Sequence, residues 1–379
     1  MNLTIKKKYL QDAIQAVTHA ITSRTVIPIL SGLKFDVEDN KVVLTGSNSD
    51  ITIQTAIHAM IEDVEIISYA QPGSIVLPIP HFSEIIKKLP DETVHIEVQD
   101  NFKTVITSGK AVFTIYGQSS EEYPQIPIQE NDDPLLLKGK QLETLIKQTV
   151  FAVSPTETRP ILTGVHVSFE HNSIVFTATD SHRLALRSFP IDTADVSERE
   201  SVVIPGKNLQ ELTKLITDPE ATIKISFLHN QILFAFNETY FLSRLLTGNY
   251  PDTSRLIPTE KETTIHAFTK DLIQTIERAD LLSSRDQNNV IRLDTLGDNM
   301  LEISSNSPEI GNVEEQLEAI AIEGEPLKIS FSSRYMLDTL KTIDSERIQI
   351  DFTGTMRPFV IRTPEDENIL QLILPVRTF

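Results

Sequence analysis

Six stretches of the chain carry apolar residues at helical spacing: Leu10/Ala13/Ile14/Val17/Ile21, Phe82/Ile85/Ile86/Leu89, Leu142/Leu145/Ile146/Val150/Val153, Leu209/Leu212/Leu215/Ile216, Leu272/Ile276/Ala279/Leu282 and Met336/Leu340/Ile343. Each reads as an amphipathic helix with one face for a core. Elsewhere the period is two, most plainly where Ile51, Ile53, Ile57, Ala59 and Ile61 occupy alternate positions, the pattern of a strand with one buried face. Candidate hairpin turns follow the helical stretches at Asp39-Asn40, Asp100-Asn101, His171-Asn172, His229-Asn230, Asp298-Asn299 and Thr353-Gly354. Their second residues are 61, 71, 58, 69 and 55 positions apart. Six half-units follow, each a strand, a helix, then several strands.

A longer period groups them in pairs. Pro28-Ile29-Leu30-Ser31-Gly32 returns as Pro160-Ile161-Leu162-Thr163-Gly164, and Thr45-Gly46-Ser47-Asn48-Ser49 as Thr177-Ala178-Thr179-Asp180-Ser181, both 132 residues on. Ile303-Ser304-Ser305-Asn306-Ser307 is a fainter third copy, and Glu122-Tyr123-Pro124 recurs as Asn249-Tyr250-Pro251. A period near one third of the chain predicts three similar domains. Two half-units per domain, with helices packed on one side of antiparallel sheet, make the class α+β. Charge and proline interrupt the apolar pattern at residues 130–134 and 254–262, so the domains are drawn as 1–129, 130–254 and 255–379. A length of 379 residues agrees with two or three domains.

The longest uninterrupted apolar run, Ile232 to Phe236, is five residues, against the roughly 18 that a membrane helix needs. The N-terminal Lys6-Lys7-Lys8 has no apolar stretch behind it, unlike a secretory signal. There is no cysteine, which removes disulfides, thiolate metal sites and cysteine nucleophiles together and suits a reducing compartment. The expectation is a cytoplasmic protein that does not engage a membrane.

The formal charge of −19 argues at first against a nucleic-acid partner. Sorting it by element changes the picture. The helical windows 6–20, 81–89, 138–151, 206–217, 269–283 and 333–343 hold fourteen basic and eight acidic residues, net +6, and leave −25 to everything else. Six such faces turned to one space would make it electropositive inside an acidic body. Phosphate attraction there would be weak, salt-sensitive and blind to sequence. The fifth window, with Asp271, Glu277 and Asp280 against Lys270 and Arg278, departs from the pattern.

Catalytic chemistry is missing. No phosphate-binding loop, dinucleotide fingerprint, HExxH, EF-hand loop or G-x-S-x-G elbow occurs, and no histidine pair has metal-ligand spacing on one helix. Asp180-Ser181-His182 contains the residue types of a hydrolase triad. Read as neighbours on an extended segment they face alternately in opposite directions and cannot form a relay, and a structural hydrogen bond between Asp180 and His182 is the simpler expectation. No catalytic residue, metal or cofactor is expected.

Ser23-Arg24-Thr25-Val26-Ile27-Pro28-Ile29-Leu30, Thr179-Asp180-Ser181-His182-Arg183-Leu184-Ala185, Asn249-Tyr250-Pro251-Asp252 and the C-terminal Leu374-Pro375-Val376-Arg377 carry a resemblance to the bacterial sliding clamp family, the beta subunits of DNA polymerase III, of the Gram-positive type. The resemblance runs from residue 1 to residue 379. It implies three clamp domains per chain and a head-to-tail homodimer, a six-domain ring with helices inside and sheet outside. It also implies a ring that encircles double-stranded DNA without reading bases, and that tethers the polymerase III alpha subunit, the clamp loader and other proteins carrying a short glutamine-containing motif.

The resemblance nominates Arg24 and the helix lysines Lys7, Lys8, Lys87, Lys147, Lys207 and Lys214 for DNA. It nominates Leu162, Thr179, His182, Arg183, Leu184, Pro251, Arg255, Leu256, Tyr335, Met356, Pro358, Leu374, Pro375, Val376 and Arg377 for the motif groove between the second and third domains. For the dimer contact it sets Phe102, Lys110, Phe113 and Ile115 against Leu281, Leu282, Glu314 and Glu315. Leu281 and Leu282 are adjacent, so one of them must leave its own helix's apolar stripe. The competing expectation is an acidic peptide-binding scaffold that does not encircle DNA.

Overall fold

The computed structural model describes residues 1–22, 25–131, 133–170, 172–191, 200–283, 289–307 and 310–377. Ser23, Arg24, Asp132 and His171 lie outside these. The described chain groups into two compact units, Met1–Lys140 with Gln210–Leu245, and Gln141–Leu209 with Leu246–Phe379.

All six helical stretches form helices: α1 (Lys7–Thr18), α2 (Ile79–Lys88), α3 (Gly139–Lys147), α4 (Gly206–Thr213), α5 (Thr269–Ser283) and α6 (Ser333–Leu340). Several are shorter than their periodicity predicts, because threonines near the ends divert backbone carbonyls. The hydroxyl of Thr18 donates to Ile14 O at 2.6 Å, Thr149 to Leu145 O at 2.6 Å, Thr213 to Gln210 O at 2.9 Å and Thr342 to Thr339 O at 2.8 Å. Val150, Ile216 and Ile343, beyond the last helical turns, remain buried. With these bounds the helices hold ten basic and eight acidic residues, net +2 rather than +6, since Lys6, Lys138, Lys214 and Lys341 fall outside them.

In the first unit the buried faces are Leu10, Ala13, Ile14 and Val17 of α1 and Ile79, Phe82 and Ile86 of α2; Ile79 joins the face that the spacing picks out, while Ile21 and Ile85 are half-buried. Phe82 meets Phe35 edge-on at 5.9 Å. A five-stranded antiparallel sheet has the order Ala111–Tyr116, Lys103–Ser108, Thr93–Val98, Asn2–Lys6, Ile67–Gln71. An eight-stranded sheet runs Leu135–Lys138, Thr222–Phe227, Gln231–Phe236, Thr239–Arg244, Ile51–His58, Lys41–Ser47, Gly32–Val37, Gly73–Pro78. Thr239–Arg244 pairs with Ile51–His58, so one sheet joins strands from both sides of the boundary drawn at residue 130.

The second unit repeats the device. Its nine-stranded sheet runs Val202–Pro205, Gly164–Glu170, Ser173–Thr179, Arg183–Pro190, Asp366–Ile373, Phe359–Thr363, Arg347–Phe352, Thr263–Phe268, Ala321–Gly324. Arg183–Pro190 against Asp366–Ile373 crosses the boundary at residue 255. A four-stranded sheet has the order Gly311–Glu318, Met300–Ser307, Val290–Thr295, Lys328–Ser332. The core gathers Leu272 and Ile276 of α5, Met336 and Leu340 of α6, and Phe331, Phe352 and Phe359. The middle repeat is therefore divided between the compact units, each half joined by main-chain hydrogen bonds to a different neighbour.

The 132-residue repeat is visible atom by atom. Ser31 Oγ donates to Pro28 O at 2.7 Å in one short 3₁₀ turn, and Thr163 Oγ1 to Pro160 O at 2.7 Å in the other. The glycine that follows each turn is required sterically: a Cβ on Gly32 would lie 2.5 Å from Val76 Cγ1, and one on Gly164 2.6 Å from Val203 Cγ1. In the third copy, residues 303–307 continue as a hairpin strand paired with Gly311–Glu318.

The Phe359 ring lies 5.3 Å from that of Phe331 and 4.9 Å from that of Phe352. Phe359→Ala is expected to destabilise the second unit by about 3–5 kcal/mol, measured as a shift of its urea midpoint; a loss under about 1 kcal/mol would contradict this packing.

Candidate peptide groove and nucleic-acid interface

The segment Thr179–Arg183 is a turn rather than the extended strand expected from the sequence. Asp180 Oδ1 accepts the backbone N–H groups of His182 at 2.9 Å and Arg183 at 3.0 Å, Thr179 Oγ1 donates to Arg183 O at 2.6 Å, and Ser181 sits at φ +76°. The expected pairing of Asp180 with the His182 ring is corrected: the other carboxylate oxygen of Asp180 accepts from Arg183 Nε at 3.1 Å. His182 instead stacks near Tyr335, ring centroids 6.2 Å apart.

Arg183 is the centre of the site and only 7% exposed. Its Nη1 donates to Asp338 of α6 at 2.7 Å and its Nη2 to Phe151 O at 2.6 Å, while the guanidinium lies 4.6 Å from the Tyr335 ring centroid. A buried guanidinium is costly unless its donors are satisfied, and here Nε, Nη1 and Nη2 all have acceptors. Arg183 therefore ties its own turn to Phe151 and to α6.

Leu184 packs with Val360, Leu370 and Leu372, with Ile257 beside them. Leu374 N–H donates to His182 O at 2.9 Å and Val376 N–H to Ser330 O at 2.8 Å, fixing the C-terminal segment along the site. Leu162 and Thr179 are buried; Tyr335, Pro358, Leu374, Pro375 and Val376 are half-buried; His182, Pro251, Arg255, Leu256, Met356 and Arg377 are exposed. Pro358 O accepts from Thr353 Oγ1 at 3.0 Å, closing the loop that presents Met356. Sequence reasoning missed the supports. Tyr250 Oη accepts the Thr179 N–H at 3.1 Å, and the His166 ring stacks on Tyr250 at 4.8 Å. The recurrence of Asn-Tyr-Pro was the signal for Tyr250; nothing in the pattern pointed to His166, Phe151 or Asp338.

The nominated lysines divide into two groups. Lys7 Nζ donates to Leu89 O at 2.8 Å, at the end of α2. Lys147 pairs with Asp344 at 2.9 Å and Lys214 with Glu211 at 2.7 Å. Lys8, Lys87 and Lys207 are exposed and have no ion pair among the described residues. Arg24 lies outside them.

Of the residues nominated for the dimer contact, Phe102, Lys110 and Phe113 are exposed and Ile115 is half-buried. Phe113 and Ile115 belong to Ala111–Tyr116, the edge of the five-stranded sheet, where Val112 and Tyr116, unnoticed in the sequence, are 64% and 68% exposed. Gly311–Glu318 is likewise the edge of the four-stranded sheet. Glu314 faces solvent, but Glu315 turns back to Arg278 Nε at 2.8 Å, whose hydrogen bonds hold its carboxyl below the usual range. Leu281 is the leucine that leaves the stripe, 68% exposed, while Leu282 is half-buried.

Among the described residues there is no group of three His, Asp or Glu that could hold a metal ion, and no helix is long and apolar enough to cross a membrane. Repeated α+β domains joined by shared sheets, and helices carrying exposed lysines without an ion pair among the described residues, are features of a clamp-class protein. Three family models match in succession: the N-terminal domain of the DNA polymerase III beta subunit at residues 1–127, the central domain at 136–252 and the C-terminal domain at 254–377. The chain belongs to the DNA polymerase III beta subunit family. It is 50% identical to the beta sliding clamp of Bacillus subtilis (strain 168) over 379 residues, all of both chains, and 45% identical to that of Staphylococcus aureus over the same length. The crystal structure of the Bacillus subtilis sliding clamp matches it with a TM-score of 0.97, and that of the Streptococcus pneumoniae TIGR4 DNA polymerase III beta chain with 0.95 at 40% identity, each covering 100% of both chains.

Burial lowers the His166 pKa below its ordinary 6.5, against the opposing pull of Glu170. The stability this contributes is complete above pH 6.5 and is lost as pH falls through 6.5 toward the folded value. The thermal midpoint should therefore fall between pH 7.5 and 5.5 and fall less in His166→Gln; equal slopes in both proteins would refute it.

Proposed function

We infer that this chain is the processivity clamp of a replicative DNA polymerase: a head-to-tail ring dimer that encircles duplex DNA and tethers the polymerase, the clamp loader and other motif-bearing proteins. It is not an enzyme. The observation that carries this is the succession of three beta-subunit domains along a chain that matches sliding clamps over its full length at up to 50% identity.

The mechanism is enclosure. A three-domain chain has unlike ends, so two copies close a ring by joining the first domain of each to the third domain of the other. We assign that contact to the edge strand Ala111–Tyr116 with Phe102 and Lys110, against the edge strand Gly311–Glu318 with Leu281 and Leu282. The free row of backbone donors and acceptors on each edge supports this assignment. We assign phosphate contact to Lys8, Lys87 and Lys207 first, since Lys7, Lys147 and Lys214 already have acceptors, and to Arg24 by its motif. A net charge of −19 repels the duplex from the rest of the surface. Contacts this few exchange readily, and no base is read, so sliding is fast while escape requires the ring to open or the DNA to end.

We assign the partner motif to the pocket around Leu184, His182, Tyr335, Met356 and the Leu374–Arg377 segment. An apolar floor with a polar rim and an adaptable methionine suits a short peptide anchored by a few side chains. We place the protein in the cytoplasm, with the chromosome it serves.

Loaded on nicked circular DNA, the ring should survive a high-salt wash and be lost once the circle is cut. Retention indifferent to topology would favour a peptide-binding scaffold that does not encircle DNA. Deleting residues from Pro375 onward should weaken binding of a glutamine-containing motif peptide at least tenfold with the dimer intact; unchanged affinity would remove the groove assignment.

A further inference from the structure

The groove assignment accounts for residues that a peptide would touch and leaves Asp338 unused. Asp338 lies on α6, one turn beyond Tyr335. It accepts from Arg183 Nη1 at 2.7 Å, and its side chain is 35% exposed against 7% for that of Arg183. Asp180, the guanidinium's other carboxylate partner, is 6% exposed and belongs to the turn that presents His182. One guanidinium thus spans the peptide-presenting turn, the 3₁₀ segment at Phe151 and helix α6.

We propose that Asp338 is a positioning residue for partner peptides. It fixes the guanidinium plane of Arg183 so that Tyr335 lies over one face of it and stands beside His182. The inference rests on the reading of this pocket as the peptide groove.

The argument is geometric. A guanidinium is planar and donates along fixed directions, so three acceptors on three different segments determine its plane. The guanidinium carbon lies 4.6 Å from the Tyr335 ring centroid, and that ring 6.2 Å from the His182 ring, so the contact holds only while the guanidinium keeps its place. Nε is fixed by Asp180 within the same turn, and Phe151 O, a neutral carbonyl, is the weaker of the two remaining acceptors. The charged acceptor that ties the turn to the helix carrying Tyr335 is Asp338. Without it, Arg183 is free to rotate about its Asp180 contact, and Tyr335 loses the surface beneath it. The groove would lose its side wall while the core cluster of Leu184, Val360, Leu370 and Leu372 stayed in place.

The test measures a fluorescent glutamine-containing motif peptide by anisotropy on the full-length dimer. Asp338→Asn, which keeps the shape and removes the charge, should weaken binding roughly three- to tenfold with little change in thermal midpoint, an effect sized as part of one charge-assisted hydrogen bond. Arg183→Lys, which keeps the charge and loses the fork, should weaken it at least as much. A structural role alone would act whatever occupies position 335, so the deciding measurement is a cycle: in a Tyr335→Ala background, Asp338→Asn should have little further effect. Unchanged affinity in Asp338→Asn, or an equal loss with and without Tyr335, would overturn the proposal. A wild-type dimer that binds no such peptide would overturn the groove reading itself and this inference with it.

Discussion

Pairing between strands of successive repeats is the constraint on which the structure depends. Thr239–Arg244 hydrogen-bonds to Ile51–His58, and Arg183–Pro190 to Asp366–Ile373. Each junction uses edges that would otherwise be exposed rows of donors and acceptors. Side chains add to both: Thr55 meets Thr239 at 3.0 Å and His58 meets Glu238 at 3.0 Å in the first, and Arg187 bonds Asp366 in the second. Two of the sheet edges that remain, Ala111–Tyr116 and Gly311–Glu318, are unlike in sequence, one apolar with Val112 and Tyr116 outward and the other acidic. Unlike edges favour a second copy placed head to tail over a face-to-face contact of identical patches.

Charge follows a similar economy. Several cations on or just beyond the helices are committed within the chain: Lys7 to a carbonyl, Lys88 to Glu84, Lys147 to Asp344, Lys214 to Glu211, Lys341 to Glu277 and Arg278 to Glu315. Exposed pairs of this kind contribute little to stability, but they keep those lysines from gripping phosphate without competition. A protein that must hold DNA and also move along it gains from having few free cations. A dense basic lining would raise affinity and steepen its salt dependence together.

The helices, the six turns and the repeat were legible because each rests on local chemistry: apolar spacing at Leu10/Ala13/Ile14/Val17, Asn with φ > 0 at residues 101, 172 and 299, proline ahead of the 3₁₀ turns. What the sequence hid depends on partners distant along the chain. Helices that stop short of their periodicity at both ends carry a lower net charge than their windows. Sheets crossing the domain boundaries divided the middle repeat between two units. The fate of Arg183, read as a peptide contact, was decided by Asp338 and Phe151, 155 and 32 residues away, which no window around the T-D-S-H-R motif contains.

The turn at Thr179 has a counterpart in the first repeat. Ser47-Asn48-Ser49 makes the same turn as Thr179-Asp180-Ser181: Asn48 Oδ1 accepts the N–H groups of Asp50 and Ile51 at 3.0 Å, Ser47 Oγ donates to Ile51 O at 3.0 Å, and Ser49 sits at φ +80°. The backbone device is shared, so it cannot be what distinguishes the copies. The side chains after it are. Where the first copy has neutral Asn48 and a buried Ile51, the middle copy has Asp180 and Arg183. An isoleucine completes a core and reaches no further; a guanidinium at the same place must find carboxylates, and finds one in its own turn and one on α6. One pair of substitutions in a duplicated turn thus accounts for a corner closed by a core side chain in one repeat and a buried ion-pair network in the next.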